Sequence, residues 1–150
     1  NPAAVVQFCA ELASVVEQEL KTNGIPDFED FDISQNQISS EGFEEIFMHL
    51  RISEAHVDRF RAFGCSTFDD SVASMLAAWL ADTPATSMPL ELHLSDNAIT
   101  SNGFTKLAVA LEKDAFPVPD PQTPGSQVPI YVRLEHNFID TTVLQARIDQ

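Results

Sequence analysis

Apolar residues recur along the chain with two different periods, which predict strands and helices in alternation. Segments such as Val132-Arg133-Leu134 alternate apolar and polar residues, the period of two expected of a half-buried strand. Between these segments apolar residues return every three or four positions, as on one face of a helix. The clearest stripe of this kind consists of Val72, Met75, Leu76, Trp79 and Leu80.

The strand segments share one template with the residues that follow them. In 28–38, 92–99 and 132–139 an Asn stands three positions after the second inward apolar residue of the strand, and an Ile stands two positions after the Asn. A degenerate copy lies between the first two, where Cys65 takes the Asn position and the following helix is shifted by one residue, which predicts a small insertion near Ser66. The inward positions of the four strands are Phe31, Ile33, Phe60, Ala62, Leu92, Leu94, Val132 and Leu134.

This template resembles the leucine-rich repeat, and the roughly 29-residue period with a helix in each unit resembles its ribonuclease-inhibitor-like type. The resemblance covers about four repeats over residues 28–148 of a single domain, 1–150. It implies an α/β fold: a short curved solenoid with parallel strands on the concave face and helices on the convex face. An amphipathic helix over Ala4–Thr22 is interpreted as part of an N-terminal helical cap, 1–27, that covers the first repeat.

A proline-rich segment over 115–129 interrupts the last two repeats. Proline fixes φ and lacks a backbone donor, so the segment is expected to be an extended loop rather than a helix or central strand. Phe116 and Val118 are its apolar side chains near the first prolines. Either Phe116 folds back onto the preceding helix, or Phe116 and Val118 form a docking arm for a partner.

Opposite the core, the predicted register places charged residues in rows across the four strands. One row is Asp32, Arg61, His93 and Arg133, and the adjacent row is Asp30, Arg59, Glu91 and Tyr131. Three of the five arginines fall on this face. Two interpretations stay open: cross-strand ion pairs of Asp32 with Arg61 and Asp30 with Arg59, or a partner-binding surface, since Arg and Tyr dominate interface energetics. The predicted partner-binding residues are Arg59, Arg61, His93, Tyr131, Arg133, Phe116 and Val118.

Charge and composition narrow the classes of partner. The 150 residues include 8 basic and 23 acidic side chains, a net charge of −15, which argues against binding to nucleic acid or anionic lipid. No segment approaches the length of about 20 apolar residues that spans a bilayer, so direct membrane insertion is not expected. Cys9 and Cys65 do not form a disulfide framework and are interpreted as buried reduced thiols of a protein in an intracellular, reducing compartment.

Motifs that would indicate catalysis, a cofactor or a metal site are missing from the sequence. The expected function is therefore a non-catalytic protein–protein interaction module, a scaffold or accessory subunit of a larger assembly. The alternative is a regulatory leucine-rich repeat domain of a larger enzyme or GTPase-regulating protein. The chain does not begin with Met and its last repeat is short, so we expect either further chain or a partner beside that repeat.

Overall fold

The computed structural model describes residues 2–22, 24–112 and 117–149, which form an α/β fold with five α-helices and a parallel four-stranded sheet. In chain order the elements are α1 (Pro2–Lys21), β1 (Asp27–Asp32), α2 (Ser40–Ile52), β2 (His56–Arg61), α3 (Asp70–Asp82), a 3₁₀ turn (Ala85–Ser87), β3 (Glu91–His93), α4 (Ser101–Leu111), β4 (Val118–Pro119), β5 (Gln127–Val128), β6 (Tyr131–Arg133) and α5 (Thr141–Ile148).

The sheet has the order β1-β2-β3-β6, so strands that follow one another in the template are neighbours in space. All three pairings are parallel, and each pair is joined by a connection that contains a helix. Phe31 is paired with Phe60, Phe60 with Leu92, and Leu92 with Val132. The predicted strands and their register are confirmed.

The inward side chains of the strands form the core together with the apolar faces of the helices. Leu92 and Leu94 are fully buried, and the rings of Phe31 and Phe60 stack with centroids 5.8 Å apart. Val132 and Leu134, at the same positions in the last strand, are only half-buried. Their exposure follows from their position on an edge strand, where no further strand covers them in the part of the chain that the structure describes.

A left-handed residue follows each strand of the parallel sheet, three positions after the last residue of the strand. Four residues have φ between 57° and 65°, and each lies one position before the Asn or Cys of the template: Gln35, Gly64, Asp96 and His136. Only Gly64 adopts this conformation without a steric cost. The side chain of the following residue offsets that cost by bonding to the carbonyl groups that the turn leaves open.

Asn97 shows this bonding most completely, because it is buried and links two units. Its Nδ2 donates to the carbonyl of Ala62 at 2.8 Å and to that of Leu94 at 3.1 Å, while its Oδ1 accepts from the N–H of Cys65 at 2.8 Å. Asn137 bonds to Leu94 and Ile99 in the same way. The Cys65 thiol lies 3.5 Å from the carbonyl of Ile33, a weaker version of the same link.

Side-chain caps begin the helices after these turns. Ser39, Thr100 and Asp140 each lie three positions after the Asn of their unit and accept a hydrogen bond from the first turn of their helix. Asp69 has the same role for α3 but lies four positions after Cys65. The one-residue insertion predicted near Ser66 is therefore confirmed.

The N-terminal helix packs against α2. Leu12, Val16 and Cys9 are buried, whereas Leu20 is 47% exposed. Helix α1 ends at Lys21, and Leu20 lies in its last turn. Gly42 lets the two helices approach, because a Cβ at this position would lie 2.8 Å from a methyl group of Val5.

The proline-rich segment contains a short antiparallel pair, in which Val118 of β4 faces Val128 of β5. This pair is separate from the parallel sheet, as the prolines require. Val118 is 3% exposed and belongs to the hydrophobic core, so its predicted role in a docking arm is wrong. The prediction for Phe116 lies outside the described residues.

Candidate protein-binding surface

The outward side chains of the parallel sheet form a contiguous polar surface. Because side chains alternate between the two faces of a strand, the neighbours of the buried apolar residues all point away from the core. We call this surface the sheet-face cluster, which consists of Asp30, Asp32, Arg59, Arg61, Glu91, His93, Tyr131 and Arg133. The observed pairing places its members in the two predicted rows.

Arg61 is the most strongly bonded cation of the sheet-face cluster. Its Nε and Nη2 contact the two carboxylate oxygens of Asp30 at 2.9 and 2.5 Å, and Nη2 also lies 3.1 Å from Asp32. The predicted pair with Asp32 is confirmed, but the bidentate bond goes diagonally to Asp30. A planar guanidinium favours two parallel bonds to one carboxylate, which Asp30 offers.

Arg59 makes its principal bond to the next strand. It lies 3.8 Å from Asp30, as predicted, but its Nε donates to Glu91 at 2.8 Å. Arg61 already occupies both oxygens of Asp30, so Glu91 is the free carboxylate within reach. The hydrogen bond to Arg59 lowers the pKa of Glu91, and the same bond raises the pKa of Arg59.

The β6 side of the surface carries its less constrained groups. His93 contacts Glu91 at 2.9 Å, and its ring meets that of Tyr131 edge-on with centroids 6.1 Å apart. Tyr131 is 56% exposed, and Nε of Arg133 lies 3.4 Å from a carboxylate oxygen of Glu135. An aromatic ring and a guanidinium that face solvent beside each other are groups on which interfaces concentrate their energy.

Charge is distributed unevenly between this surface and the rest of the molecule. The cluster and Glu135 together carry three arginines and four carboxylates, which leaves one net negative charge if His93 is neutral. The whole chain carries −15. The surface is therefore close to neutral on a strongly acidic protein.

The ion pairs within this surface contribute little to the stability of the fold. Exposed pairs contribute about 0–1 kcal/mol each, and the arginine and carboxylate side chains of these pairs are roughly a third to a half exposed. Burial would raise the pKa of Asp32, but hydrogen bonds from Ser34 and the charge of Arg61 lower it overall. The ion pairs hold the charged side chains of the cluster in an ordered array.

Five of the seven predicted partner-binding residues meet in this surface: Arg59, Arg61, His93, Tyr131 and Arg133. Val118 instead lines a small cavity of about 160 Å³ beside the 3₁₀ turn. Sequence reasoning placed Glu91 in its row but missed its bonds to Arg59 and His93. Arg59 faces Glu91 across the pairing of β2 with β3, and His93 lies two residues along the same face of β3, so these positions were the available signal.

The part of the chain that the structure describes contains neither a candidate metal site nor a helix suited to span a membrane. There, no three or more His, Cys, Asp or Glu side chains converge in a group that could hold a metal ion. None of the described helices has the length and apolar character needed to cross a membrane. No protein-family model and no curated protein matches the chain.

Proposed function

We propose that the chain is a short leucine-rich repeat solenoid of the ribonuclease-inhibitor-like type, and that it acts as a non-catalytic protein–protein interaction module. Four successive units with the same strand, left-handed turn and capped helix support this interpretation. A scaffold or accessory subunit of a larger assembly is the role that such a module serves.

The observation that carries the proposal is the sheet-face cluster. It combines paired arginines, an exposed tyrosine and near-neutral charge on one ordered surface of an otherwise acidic protein. The binding partner is a protein segment of mixed polar character with some acidic groups. Its acidic groups can accept hydrogen bonds from Arg59, Arg61 and Arg133, whose ion pairs within the surface are partly exposed to solvent.

An intracellular, reducing compartment is the proposed location. Cys9 and Cys65 are both buried and free, and burial is the largest cause of the raised pKa of each thiol. Neither therefore contributes a disulfide, which is the usual device of small secreted domains.

A photo-reactive side chain at Tyr131 tests whether this surface contacts a protein. We expect the full chain with p-benzoylphenylalanine at position 131, expressed in its source cells, to form a covalent adduct with one protein. The matched control carries the same group at Val109, which is 58% exposed on α4 and faces away from the sheet. The adduct is then reproduced with the purified partner. Equal adducts from both positions, or none from position 131, would contradict the proposal.

A further inference from the structure

The helical side of the molecule contains an apolar groove that the sheet-face proposal does not use. It lies between α2 and α3 and has a volume of about 780 Å³. Buried Phe47 and Trp79 form its floor, and Met48, Ile52 and Met75 line its walls. Ile52 is 68% exposed and Met48 45%, although both are large apolar side chains.

Side-chain size explains why the groove is at this place. The rings of Phe47 and Trp79 stand between α2 and α3 with centroids 6.1 Å apart. Between α3 and α4, by contrast, a Cβ at Gly103 would overlap Oδ1 of Asp70. Helices separated by aromatic rings pack farther apart than helices that meet at a glycine, so the surface opens between α2 and α3.

Acidic side chains outnumber basic ones in the lining of the groove, although Lys106 donates to the lining residue Ser74. Glu44, Glu54 and Asp82 line it, and the one basic residue among its lining in the described part of the chain, Arg51, is paired with Asp82. The field of the whole chain, at −15, has the same sign. Arg51 links α2 to α3, so one end of the groove is fixed by this ion pair.

Glu54 occupies a position where glycine is the usual residue. Its φ is 53°, and it follows α2 in a left-handed C-terminal turn closed by bonds from Glu54 N–H to Arg51 and from Ala55 N–H to Leu50. A glutamate in this conformation is strained relative to glycine, which has no Cβ. Its side chain is exposed and lies at the groove, where it adds negative charge.

We infer that the α2–α3 groove binds a short cationic amphipathic helix of a partner protein, whose apolar side chains cover Met48, Ile52 and Met75 and whose Lys or Arg side chains meet Glu44 and Glu54. The lining runs from Glu44 to Ile52 along α2, about 12 Å or two helical turns. Two turns of a docked helix match that length. Two of the chain's three methionines line the groove, and flexible thioether side chains adapt to a docked apolar face.

A displayed library of 16-residue helical peptides tests this inference with the full chain as target. Selection on the native chain, with counter-selection on the Ile52→Glu variant, is expected to enrich apolar residues at helical spacing flanked by Lys or Arg. The synthetic consensus peptide is expected to bind the native chain at least ten-fold more tightly than it binds Ile52→Glu. Val109→Glu is the matched control, because it adds the same charge at an exposed apolar residue outside the groove and should leave the affinity unchanged.

Two further variants show whether the peptide binds through the groove and its acidic rim. Glu54→Gly relieves the left-handed glutamate, so it should not destabilise the fold, yet it should weaken peptide binding about three-fold and reduce its salt dependence. Arg61→Ala with Arg133→Ala should leave peptide binding unchanged, which distinguishes this inference from the sheet-face proposal.

Several outcomes would overturn the inference. One is a library that yields no peptide or enriches acidic ones, and another is equal binding by the native chain and Ile52→Glu. A third is self-association of the native chain that Ile52→Glu abolishes, which would assign the groove to a second copy.

Discussion

Replacing Asn97 by alanine is expected to lower the free energy of unfolding by about 3 kcal/mol. The change removes three hydrogen bonds at a buried turn and leaves the carbonyls of Ala62 and Leu94 and the N–H of Cys65 without that partner. A buried polar group without a partner costs about 1–3 kcal/mol. The expected loss of stability is large also because Asn97 joins two units of the fold.

Asn36→Ala provides the matched control at the equivalent position of the first unit. The exposed side chain of Asn36 donates to the carbonyls of Ile33 and Ser34 in its own turn. Its replacement should cost about 1 kcal/mol, since water reaches the groups that it leaves open. Urea unfolding of both variants measures the difference, and equal losses would show that Asn97 does not link neighbouring units.

Leu94→Ala is expected to cost about 2–5 kcal/mol, a large part of the stability of a domain of this size. Leu94 is fully buried on the inner side of the sheet, between the units of β2 and β6. The removed methyl groups leave a cavity that strands on both sides hold open. The midpoint of urea unfolding should therefore fall clearly while the slope stays unchanged.

Leu134→Ala makes the same chemical change at the same template position in the edge unit. Because Leu134 is only half-buried, its replacement should cost about half as much as that of Leu94. A midpoint unchanged in Leu94→Ala, or a larger loss in Leu134→Ala, would contradict the packing described here.

Regular features of the fold could be predicted from the sequence because they repeat. The pairing of Asp32, Arg61, His93 and Arg133 follows from the template, since units of equal pattern place equal positions side by side. The one-residue shift after Cys65 could be predicted for the same reason, and it makes Asp69 the N-cap residue of α3. The curved solenoid itself stays a prediction.

Features that depend on side-chain competition could not be predicted. Arg59 bonds to Glu91 because Arg61 occupies Asp30, a choice between carboxylates on the two neighbouring strands. The core position of Val118 depends on how the proline-rich segment folds back, for which the template offers no equivalent. The α2–α3 groove arises because the rings of Phe47 and Trp79 separate α2 from α3, whereas Gly103 lets α4 approach α3 closely. The spacing of apolar residues along the sequence does not predict such differences in side-chain size.

Arg61→Ala combined with Arg133→Ala tests whether the sheet-face cluster binds a protein partner. Titration calorimetry with the partner identified at Tyr131 should show at least a ten-fold loss of affinity, about 1.4 kcal/mol, and a weaker dependence on salt. The melting temperature should barely move, because the ion pairs removed are partly exposed.

Lys21→Ala with Arg147→Ala removes the same charge from basic side chains outside this surface and outside the α2–α3 groove, each paired with a carboxylate. This control variant is expected to bind the partner with native affinity. Equal affinity losses in the two double variants, or a lower melting temperature with intact binding in the Arg61 and Arg133 variant, would contradict the proposal.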